Sequence, residues 1–331
     1  MNAYYQDDQV TLLLGDALEQ LRTLPDGSVD CIVTSPPYYG LRDYGTPGQY
    51  GLEATPAAYV ETMRDLFAEA RRVLADDGTL WLNLGDSYNN TAAGQNACNA
   101  NRDGTSDAKQ RTAEGLSGRR RELLDKTLPA KNLLGIPWRT AFALQDDGWI
   151  LRNEIIWHKT NGMPESVRDR LSNRHEHLFL FTKSQRYAFD LDPIREPVSD
   201  DTKRRPVLDW ETRKGRGESI RQGAGGASVA GVQRVAANPL GRNPGDVWSI
   251  PTRPYPEAHF AVFPIDLPLR CIKAGCKPGG TVLDPFSGSG TTGAAARQLG
   301  RKYIGIDLNP AYHDLAKERF KQGVLDFGGA A

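Results

Sequence analysis

The residues near the N-terminus that are best suited to chemistry lie in the sequence Thr-Ser-Pro-Pro-Tyr, residues 34–38. An apolar run at residues 29–33 precedes this motif and predicts a buried strand. Proline fixes φ and lacks a backbone N–H group, so Pro36 and Pro37 cannot continue the strand or lie inside a helix. The motif therefore predicts a rigid corner that carries a serine hydroxyl and a tyrosine ring. Taken alone, the same residues would also suit a stiff turn with a packed tyrosine.

A second motif near the C-terminus, Asp-Pro-Phe-Ser-Gly-Ser-Gly-Thr-Thr-Gly at residues 284–293, has the glycine spacing G-x-G-x-x-G. It follows a predicted strand and precedes a predicted helix, and the next predicted strand ends on Asp307. In that context the glycines allow the backbone to approach a nucleotide-type ligand, and the aspartate is placed to bind ribose hydroxyls. The simpler alternative is a tight strand-to-helix turn that binds no ligand.

The charge next to the glycines bears on which ligand this loop would bind. The sequence places Asp284 at the mouth of the site, where its carboxylate would repel the pyrophosphate of NAD. The same carboxylate would favour a cationic ligand with an ammonium group, and S-adenosylmethionine has that group, an adenosine and no phosphate. We therefore predict S-adenosylmethionine as the cofactor. The alternative is an NAD-linked oxidoreductase, which leaves the proline corner unexplained.

The chain that carries these motifs has the composition of a soluble globular protein. Its 331 residues include 41 basic and 41 acidic side chains, and this length suits one large domain or two smaller ones. No apolar run approaches the ~20 residues of a membrane span, and the N-terminus lacks a signal-peptide pattern, so we expect a cytoplasmic protein without membrane contact. The four cysteines form no C-x-x-C pair, and the Arg-His-Glu-His cluster at 174–177 leads into a predicted strand. We therefore predict no metal site, and we expect the cluster at 174–177 to have a structural or substrate-contact role.

Predicted strands and helices alternate at both ends of the chain, as in a βαβ unit. Helix starts are marked at Thr55-Pro56 and at Asn309-Pro310, where a capping side chain precedes a proline in the first turn. Between the two ends, a polar segment near 88–125 predicts a loop that is mobile in the free protein, and a second polar segment at 197–243 is rich in Arg and Lys. This order predicts an α/β fold with a doubly wound, mostly parallel sheet and irregular basic insertions.

Together, the two motifs resemble those of the S-adenosylmethionine-dependent amino-methyltransferases of DNA, which methylate the exocyclic amine of cytosine (N4) or adenine (N6). Because Thr-Ser-Pro-Pro-Tyr precedes the glycine loop, the chain is similar to the permuted beta class of this family, which implies its Rossmann-like methyltransferase fold. Further similarity comes from residues 15–21, from the predicted middle strands at 155–166 and 174–184, and from His259–Pro264. The resemblance covers most of the chain apart from the two polar segments.

The resemblance implies a cofactor site built from several distant segments. Its residues are Asp16, Thr34, Phe263, Pro264, Asp284, Pro285, Phe286, Ser287, Gly288, Ser289, Gly290, Thr291, Thr292 and Asp307. For a cofactor in this site to reach a base at the corner, the corner and the glycine loop must meet at a topological switch point of the sheet.

The resemblance also implies that Ser35, Pro36, Pro37 and Tyr38 are catalytic. An exocyclic amine is a poor nucleophile, and acceptors aimed at its two N–H groups would offset the charge that develops as it attacks a methyl group. The Ser35 hydroxyl and the Pro36 carbonyl are the candidate acceptors, and Tyr38 can stack on a base that has left the helix. In this family a serine at the first motif position is associated with cytosine N4, so we predict N4 methylation of a flipped cytosine. Adenine N6 methylation and a catalytically silent DNA-binding protein are the alternatives.

The resemblance implies that double-stranded DNA is the substrate. It also divides the protein chain into three regions with different roles. Residues 1–190 would form the catalytic half, 191–255 the target-recognition region and 256–331 the cofactor-binding half. Basic residues of the middle region are expected to contact DNA phosphates. They are Lys203, Arg204, Arg205, Arg213, Lys214 and Arg216. A partner restriction endonuclease and a homodimer are further interactions consistent with this class.

Overall fold

A computed structural model of the protein describes residues 3–41, 46–89, 127–162, 164–198, 238–253 and 263–321. The chain divides into two compact units, one made of Met1–Asp190 with Gly245–Ala331 and the other of Leu191–Pro244. Most of the two polar segments, residues 90–126 and 199–237, lies outside the described residues. The mobility expected of the first segment and the DNA contacts expected of the second therefore stay predictions.

Among the described residues, one mixed sheet of nine strands runs through the larger unit. In chain order the strands are β1 (Tyr5–Gln6), β2 (Val10–Leu14), β3 (Val29–Thr34), β4 (Leu74–Leu84), β5 (Ile150–His158), β6 (His175–Thr182), β7 (Val247–Ser249), β8 (Thr281–Asp284) and β9 (Lys302–Asp307). Their order across the sheet is β1-β2-β9-β8-β3-β4-β6-β5-β7. Strands β2, β9, β8, β3 and β4 are parallel, whereas β1 is antiparallel to β2 and β6 is antiparallel to both of its neighbours. Five parallel strands thus end at one edge of the sheet.

The described part of the chain contains six α-helices. They are α1 (Ala17–Thr23), α2 (Pro56–Val73), α3 (Ile136–Asp146), α4 (Asp266–Gly275), α5 (Thr291–Gln298) and α6 (Pro310–Lys321). The predicted start of α2 is confirmed, because the Thr55 side chain accepts a hydrogen bond from the Ala58 N–H at 3.1 Å. At the start of α6, Asn309 likewise accepts from the Ala311 N–H at 3.0 Å. Local capping signals therefore identify both helix starts correctly.

Strand β4 shows that helices cover both faces of the sheet. Leu80 and Leu84 are buried in one cluster with the apolar face of α2. Because side chains alternate along a strand, Trp81 points to the opposite face. There its indole N–H donates to the Thr79 hydroxyl, which donates in turn to the carbonyl of Gly275 at the end of α4. Helices on both faces confirm the predicted doubly wound α/β fold.

The smaller unit is described near its two ends. Asp192–Ile194 forms a short 3₁₀-helix. Glu196 and Arg242 pair through their backbones and through an ion pair of 2.8 Å. Within the described ranges of the whole chain, no helix is both long and apolar enough to cross a membrane.

Two glycines of the G-x-G-x-x-G spacing allow α5 and α6 to pack closely. Gly290 has a φ of 75°, and a Cβ added there would lie 2.8 Å from the Ala316 Cβ and from the Phe320 ring. At Gly293, inside α5, a Cβ would lie 2.6 Å from the rings of Phe320 and Tyr303. Both positions therefore need glycine for helix packing, whatever the loop binds.

Replacing Gly293 with alanine tests this packing. We expect Gly293→Ala to lower the free energy of unfolding by about 1–2 kcal/mol, since overpacking costs more than the gain in helix propensity. Chemical denaturation measures the change, and Ala294→Ser at the neighbouring, half-buried position is the control. Equal stability of Gly293→Ala and the unsubstituted protein would contradict the close approach of α6.

Candidate active site

The two sequence motifs meet at the carboxyl ends of adjacent parallel strands. Strand β3 pairs with β8, with Ile32 opposite Leu283, so the chain leaves both strands at the same edge of the sheet. Just beyond this pair, the Thr34 hydroxyl donates a hydrogen bond of 2.7 Å to Asp284 Oδ1. The proline corner and the glycine loop, 250 residues apart at these two positions, are therefore in direct contact.

Asp284 lies beneath the glycine loop rather than at the mouth of the site, where the sequence places it. It is 2% exposed, and its second oxygen, Oδ2, accepts from the Thr292 hydroxyl at 2.7 Å. Burial raises the pKa of Asp284 to about 6, although hydrogen bonds from Thr34, Thr292 and the Phe286 N–H favour the ionised form. This carboxyl group ties β3, the glycine loop and α5 together.

An open cleft lies beside this junction, above the carboxyl ends of β2, β9, β8 and β3. It is lined by Gly15, Asp16, Ala17, Ser35, Pro37, Thr46, Gln49, Tyr50, Pro285, Phe286, Gly288, Asp307, Leu308, Asn309 and Tyr312. Both predicted sets of residues contribute to this lining. The predicted members are Asp16, Ser35, Pro37, Pro285, Phe286, Gly288 and Asp307.

Two aspartates at the ends of neighbouring strands form the acidic part of the cleft. Asp307, the last residue of β9, accepts from the backbone N–H groups of Gly288 and Asn309, each at 2.8 Å. Burial raises the pKa of Asp307, against the effect of these two hydrogen bonds. Asp16 follows β2, caps the start of α1 and accepts from the Tyr50 hydroxyl at 2.9 Å. Both carboxylates are thus oriented by protein groups.

The other predicted cofactor residues are not part of this lining. They are Thr34, Phe263, Pro264, Asp284, Ser287, Ser289, Gly290, Thr291 and Thr292. Ser287 is buried and accepts from the Tyr303 hydroxyl at 2.9 Å, and Ser289 Oγ is buried without a hydrogen-bond partner among the described residues. Phe263 and Pro264 lead into α4, and the segment before them, 254–262, lies outside the described ranges.

At the corner itself, the two proline carbonyls have different surroundings. The Pro37 carbonyl accepts from the Tyr59 hydroxyl of α2 at 3.0 Å. The Pro36 carbonyl accepts no hydrogen bond from any residue that the structure describes. The corner is therefore held from one side by a buried tyrosine, and the Pro36 carbonyl keeps its acceptor capacity.

The Tyr38 hydroxyl is the centre of a hydrogen-bond network at the corner. It donates to Glu176 Oε2 at 2.6 Å and accepts from Asn83 Nδ2 at 2.7 Å. The same Nδ2 lies 2.8 Å from Glu176 Oε2, and the Ser35 hydroxyl donates to the Tyr38 oxygen at 3.2 Å. The Tyr38 ring packs so closely on Gly85 that a Cβ there would lie 2.5 Å from it. These contacts fix the orientation of the ring.

Glu176 holds this network as an ionised carboxylate. Its other oxygen, Oε1, accepts from Lys159 Nζ just past the end of β5. Burial by itself would raise the pKa of Glu176, but the Lys159 ammonium and the hydrogen bonds from Tyr38 and Asn83 hold it below its usual value. The Lys159 ammonium also lies 4.9 Å from the centre of the Trp157 ring. A charged pair thus lies behind the tyrosine of the corner.

Three residues of this network, Asn83, Glu176 and Lys159, are not predicted from the sequence. Asn83 is a polar residue within the apolar run of β4, and a buried polar side chain of this kind usually has a specific partner. Glu176 belongs to the Arg-His-Glu-His cluster, whose interpretation as structural or substrate-contacting is compatible with its contact to Tyr38. The alternating pattern of that cluster is the sequence signal from which the role of Glu176 could be predicted.

The comparison with known proteins agrees with this geometry. The sequence matches the N6/N4 family described as DNA methylase over residues 29–318. The chain belongs to this family. Membership confirms the predicted S-adenosylmethionine-dependent DNA methyltransferase and excludes the NAD-linked alternative.

Similar proteins support the same assignment for the methylase. M.SmaI from Serratia marcescens is 44% identical over 93% of this chain and 89% of the relative. M.Cfr9I from Citrobacter freundii is 44% identical over 94% of this chain and 87% of the relative. Both relatives are named type II methyltransferases. Among solved structures, PvuII DNA methyltransferase (cytosine-N4-specific) has a TM-score of 0.62 at 19% identity and covers 99% of this chain and 90% of its own. This last similarity shows a shared fold.

The buried Asp284 makes the stability of the methylase depend on pH. Its pKa of about 6 in the folded protein is above the usual 3.8, so the folded state binds this proton more tightly than the unfolded state. That contribution to stability is complete at low pH and is lost as the pH rises through about 6. We expect the unfolding free energy of the unsubstituted protein, relative to Asp284→Asn, to fall by about 2 kcal/mol between about pH 4 and pH 7.

Denaturant titrations of both proteins at matched pH values measure this difference. Asp284→Asn keeps an oxygen acceptor for Thr34, and Asp26→Asn at an exposed position is the control for general charge effects. A difference between Asp284→Asn and the unsubstituted protein that does not change with pH would argue against a buried, ionisable carboxyl group here.

Proposed function

We propose that the methylase transfers the methyl group of S-adenosylmethionine to the N4 amine of a cytosine flipped out of double-stranded DNA. The observation that carries this proposal is the hydrogen bond from Thr34 to Asp284, which joins the rigid corner to the glycine loop. Ser35 consequently lines the same cleft as Asp16 and Asp307. The choice of cytosine is supported by the serine at the first position of the corner motif.

The residues of the cleft fit the chemistry of this cofactor. Asp307 at the end of β9 offers a carboxylate for ribose hydroxyls, next to the Gly288 backbone that it holds. Tyr50 meets Phe286 edge to face with ring centres 5.3 Å apart, which gives the cleft an apolar wall suited to an adenine ring. Asp16 adds a second carboxylate beside that wall. When bound, the cofactor supplies an electrophilic methyl group on its sulfonium.

The corner would bind the target amine through acceptors that do not move. The Ser35 oxygen and the Pro36 carbonyl can each accept one N–H of the amine. Their positions are fixed by the proline backbone and by the hydrogen bond from Tyr59 to the Pro37 carbonyl. Acceptors fixed in this way stabilise the positive charge that develops on the amine nitrogen, without reorganisation during the reaction.

Tyr38 would stack on the flipped base, and Asn83, Glu176 and Lys159 act as positioning residues for it. The hydroxyl of Tyr38 is held by Asn83 and Glu176, so the ring cannot turn away without leaving a buried carboxylate underpaired. Leaving a charged partner unpaired in this way is costly. The ring is therefore ready to receive the base before DNA binds.

Sequence reading belongs, in this proposal, to residues 191–255 with the basic residues Lys203, Arg204, Arg205, Arg213, Lys214 and Arg216. We extend the proposal to a type II restriction-modification system, because relatives such as M.SmaI carry the type II name. An endonuclease that cuts the same sequence when it is unmethylated would then be the functional partner. A homodimer and a cytoplasmic location are part of the same proposal.

Product analysis tests the proposed reaction directly. Incubation of mixed-sequence DNA with labelled S-adenosylmethionine, followed by nucleoside analysis, is expected to yield N4-methylcytosine. Ser35→Ala should lower the rate of incorporation by about 10²-fold, because one fixed acceptor is lost. The matched control is Ser28→Ala, whose hydroxyl donates to the Pro25 carbonyl away from the cleft. Recovery of N6-methyladenine would replace cytosine by adenine as the target, and no incorporation at all would refute the methyl transfer.

Substitution of Glu176 tests the positioning role. We expect Glu176→Gln to lower kcat by about tenfold while the affinity for S-adenosylmethionine is unchanged, since Glu176 contacts Tyr38, Asn83 and Lys159, none of which lines the cofactor cleft. Glu154→Gln on β5, which removes a similar carboxylate bonded to His177, is the matched control. A loss of cofactor affinity equal to the loss of rate would show a general structural defect instead.

A further inference from the structure

A segment beside the catalytic corner carries the most exposed large apolar side chain among the described residues. Leu171 is 91% exposed, compared with 49% for Leu133 and 60% for Leu240. It belongs to residues 164–174, which lead into β6 and which we call the β5–β6 arm. Single exposed apolar residues are ordinary on protein surfaces, so exposure alone carries no conclusion.

The arm begins and ends next to residues that orient Tyr38, and this position makes the exposure of Leu171 informative. The Lys159 N–H donates to the carbonyl of Arg174 at 2.9 Å, so the chain leaves β5 and enters β6 side by side. Glu176, which accepts the hydrogen bond from Tyr38, and its partner Lys159 are therefore next to the two ends of the β5–β6 connection. The arm is thus anchored at the ion pair that orients Tyr38, on whose ring the flipped base would stack.

Protein contacts hold the backbone around Leu171 in place. The Arg170 guanidinium lies 4.2 Å from the centre of the Tyr88 ring. Its Nη1 atom donates to Glu165 Oε2 at 2.6 Å and to the Leu171 carbonyl at 3.0 Å. Leu171 is therefore presented on a fixed backbone with its side chain in solvent.

The free charge of the arm is positive. Its two acidic residues, Glu165 and Asp169, are each in an ion pair, the first with Arg170 and the second with Lys131. Arg168 and Arg174 are exposed and make no ion pair with any residue that the structure describes. Two unpaired guanidinium groups on either side of an exposed leucine complement a phosphate backbone on either side of a base stack.

We propose that the β5–β6 arm enters DNA when the target base is flipped, with Leu171 as an apolar wedge that fills the place of the departed base. Arg168 and Arg174 contact the adjacent phosphates. This inference rests on the proposed function, because a wedge is needed only where a paired base leaves the helix. An apolar side chain inserted between base steps stabilises the opened duplex, in which stacking has been lost.

Two DNA substrates separate this role from general DNA binding. The first is a duplex with the sequence found to be methylated in the product analysis, and the second has an abasic position opposite the target base. We expect Leu171→Ala to lower the initial rate of methyl transfer about tenfold or more on the paired duplex, and less than about twofold on the other, where the base is already unpaired. Leu171→Met should restore the rate on the paired duplex to within about threefold, because it also supplies an apolar wedge.

The control for loss of an exposed apolar side chain is Phe142→Ala on α3, where the side chain is 51% exposed, and its rates should equal those of the unsubstituted protein. Equal rates of Leu171→Ala and the unsubstituted protein on the paired duplex would overturn the proposal. Equal losses on both duplexes would also overturn it, because they indicate a structural role. If the unsubstituted protein methylates neither duplex nor mixed-sequence DNA, the proposed function itself fails.

Discussion

The rest of the structure depends on one constraint, which is that β3 and β8 are neighbours and end at the same edge of the sheet. The hydrogen bond between Thr34 and Asp284 is possible only because of this arrangement. Segments distant in sequence share a cleft in such a sheet where their strands end close together at its carboxyl edge. Burying a carboxyl group is unfavourable unless hydrogen bonds satisfy it. Here the donors are Thr34 from one motif and Thr292 from the other. A shift in the register of β3 against β8 would leave this group unsatisfied, so the polar contact makes the junction specific.

The antiparallel strand β6 is what brings a carboxylate to the other side of the corner. Strands β3, β4 and β5 all end at the edge of the sheet where the proline corner lies, whereas β6 begins there because it runs in the opposite direction. Glu176, near the start of β6, therefore meets Tyr38 past the end of β3 and Lys159 past the end of β5. In an entirely parallel sheet the start of β6 would lie at the opposite edge. The reversed direction of β6 in the mixed sheet is therefore what allows Glu176 to contact Tyr38.

Protein groups orient in advance both the cleft that we propose binds the cofactor and the corner that we propose binds the target base. Asp307 is held by backbone N–H groups of Gly288 and Asn309, and Asp16 by the Tyr50 hydroxyl. On the base side, the prolines and the charged pair of Lys159 with its glutamate restrict the corner. Groups that are ordered before binding lose less conformational freedom when a ligand arrives. This smaller loss of conformational freedom suits a reaction whose acceleration depends on placing an amine next to a methyl donor.

Local sequence signals are sufficient to predict the alternation of strands and helices, the helix starts at Thr55 and Asn309, and the two motifs that identify the family. These features depend on residues close together in the chain, because capping, proline geometry and periodicity act over a few residues. The sequence also predicted that the corner and the glycine loop converge, since a shared cleft was needed for either to act.

The order of the strands in the sheet depends on tertiary packing, and several properties of the site follow from that order. Asp284 is buried beneath the loop, two of the three motif glycines serve helix packing, and Glu176 reaches Tyr38 across 138 residues of chain. The physical reason is that burial, hydrogen-bond partners and pKa values depend on groups brought together by strand order and direction. Those contacts join residues far apart in the chain, and no local pattern encodes them.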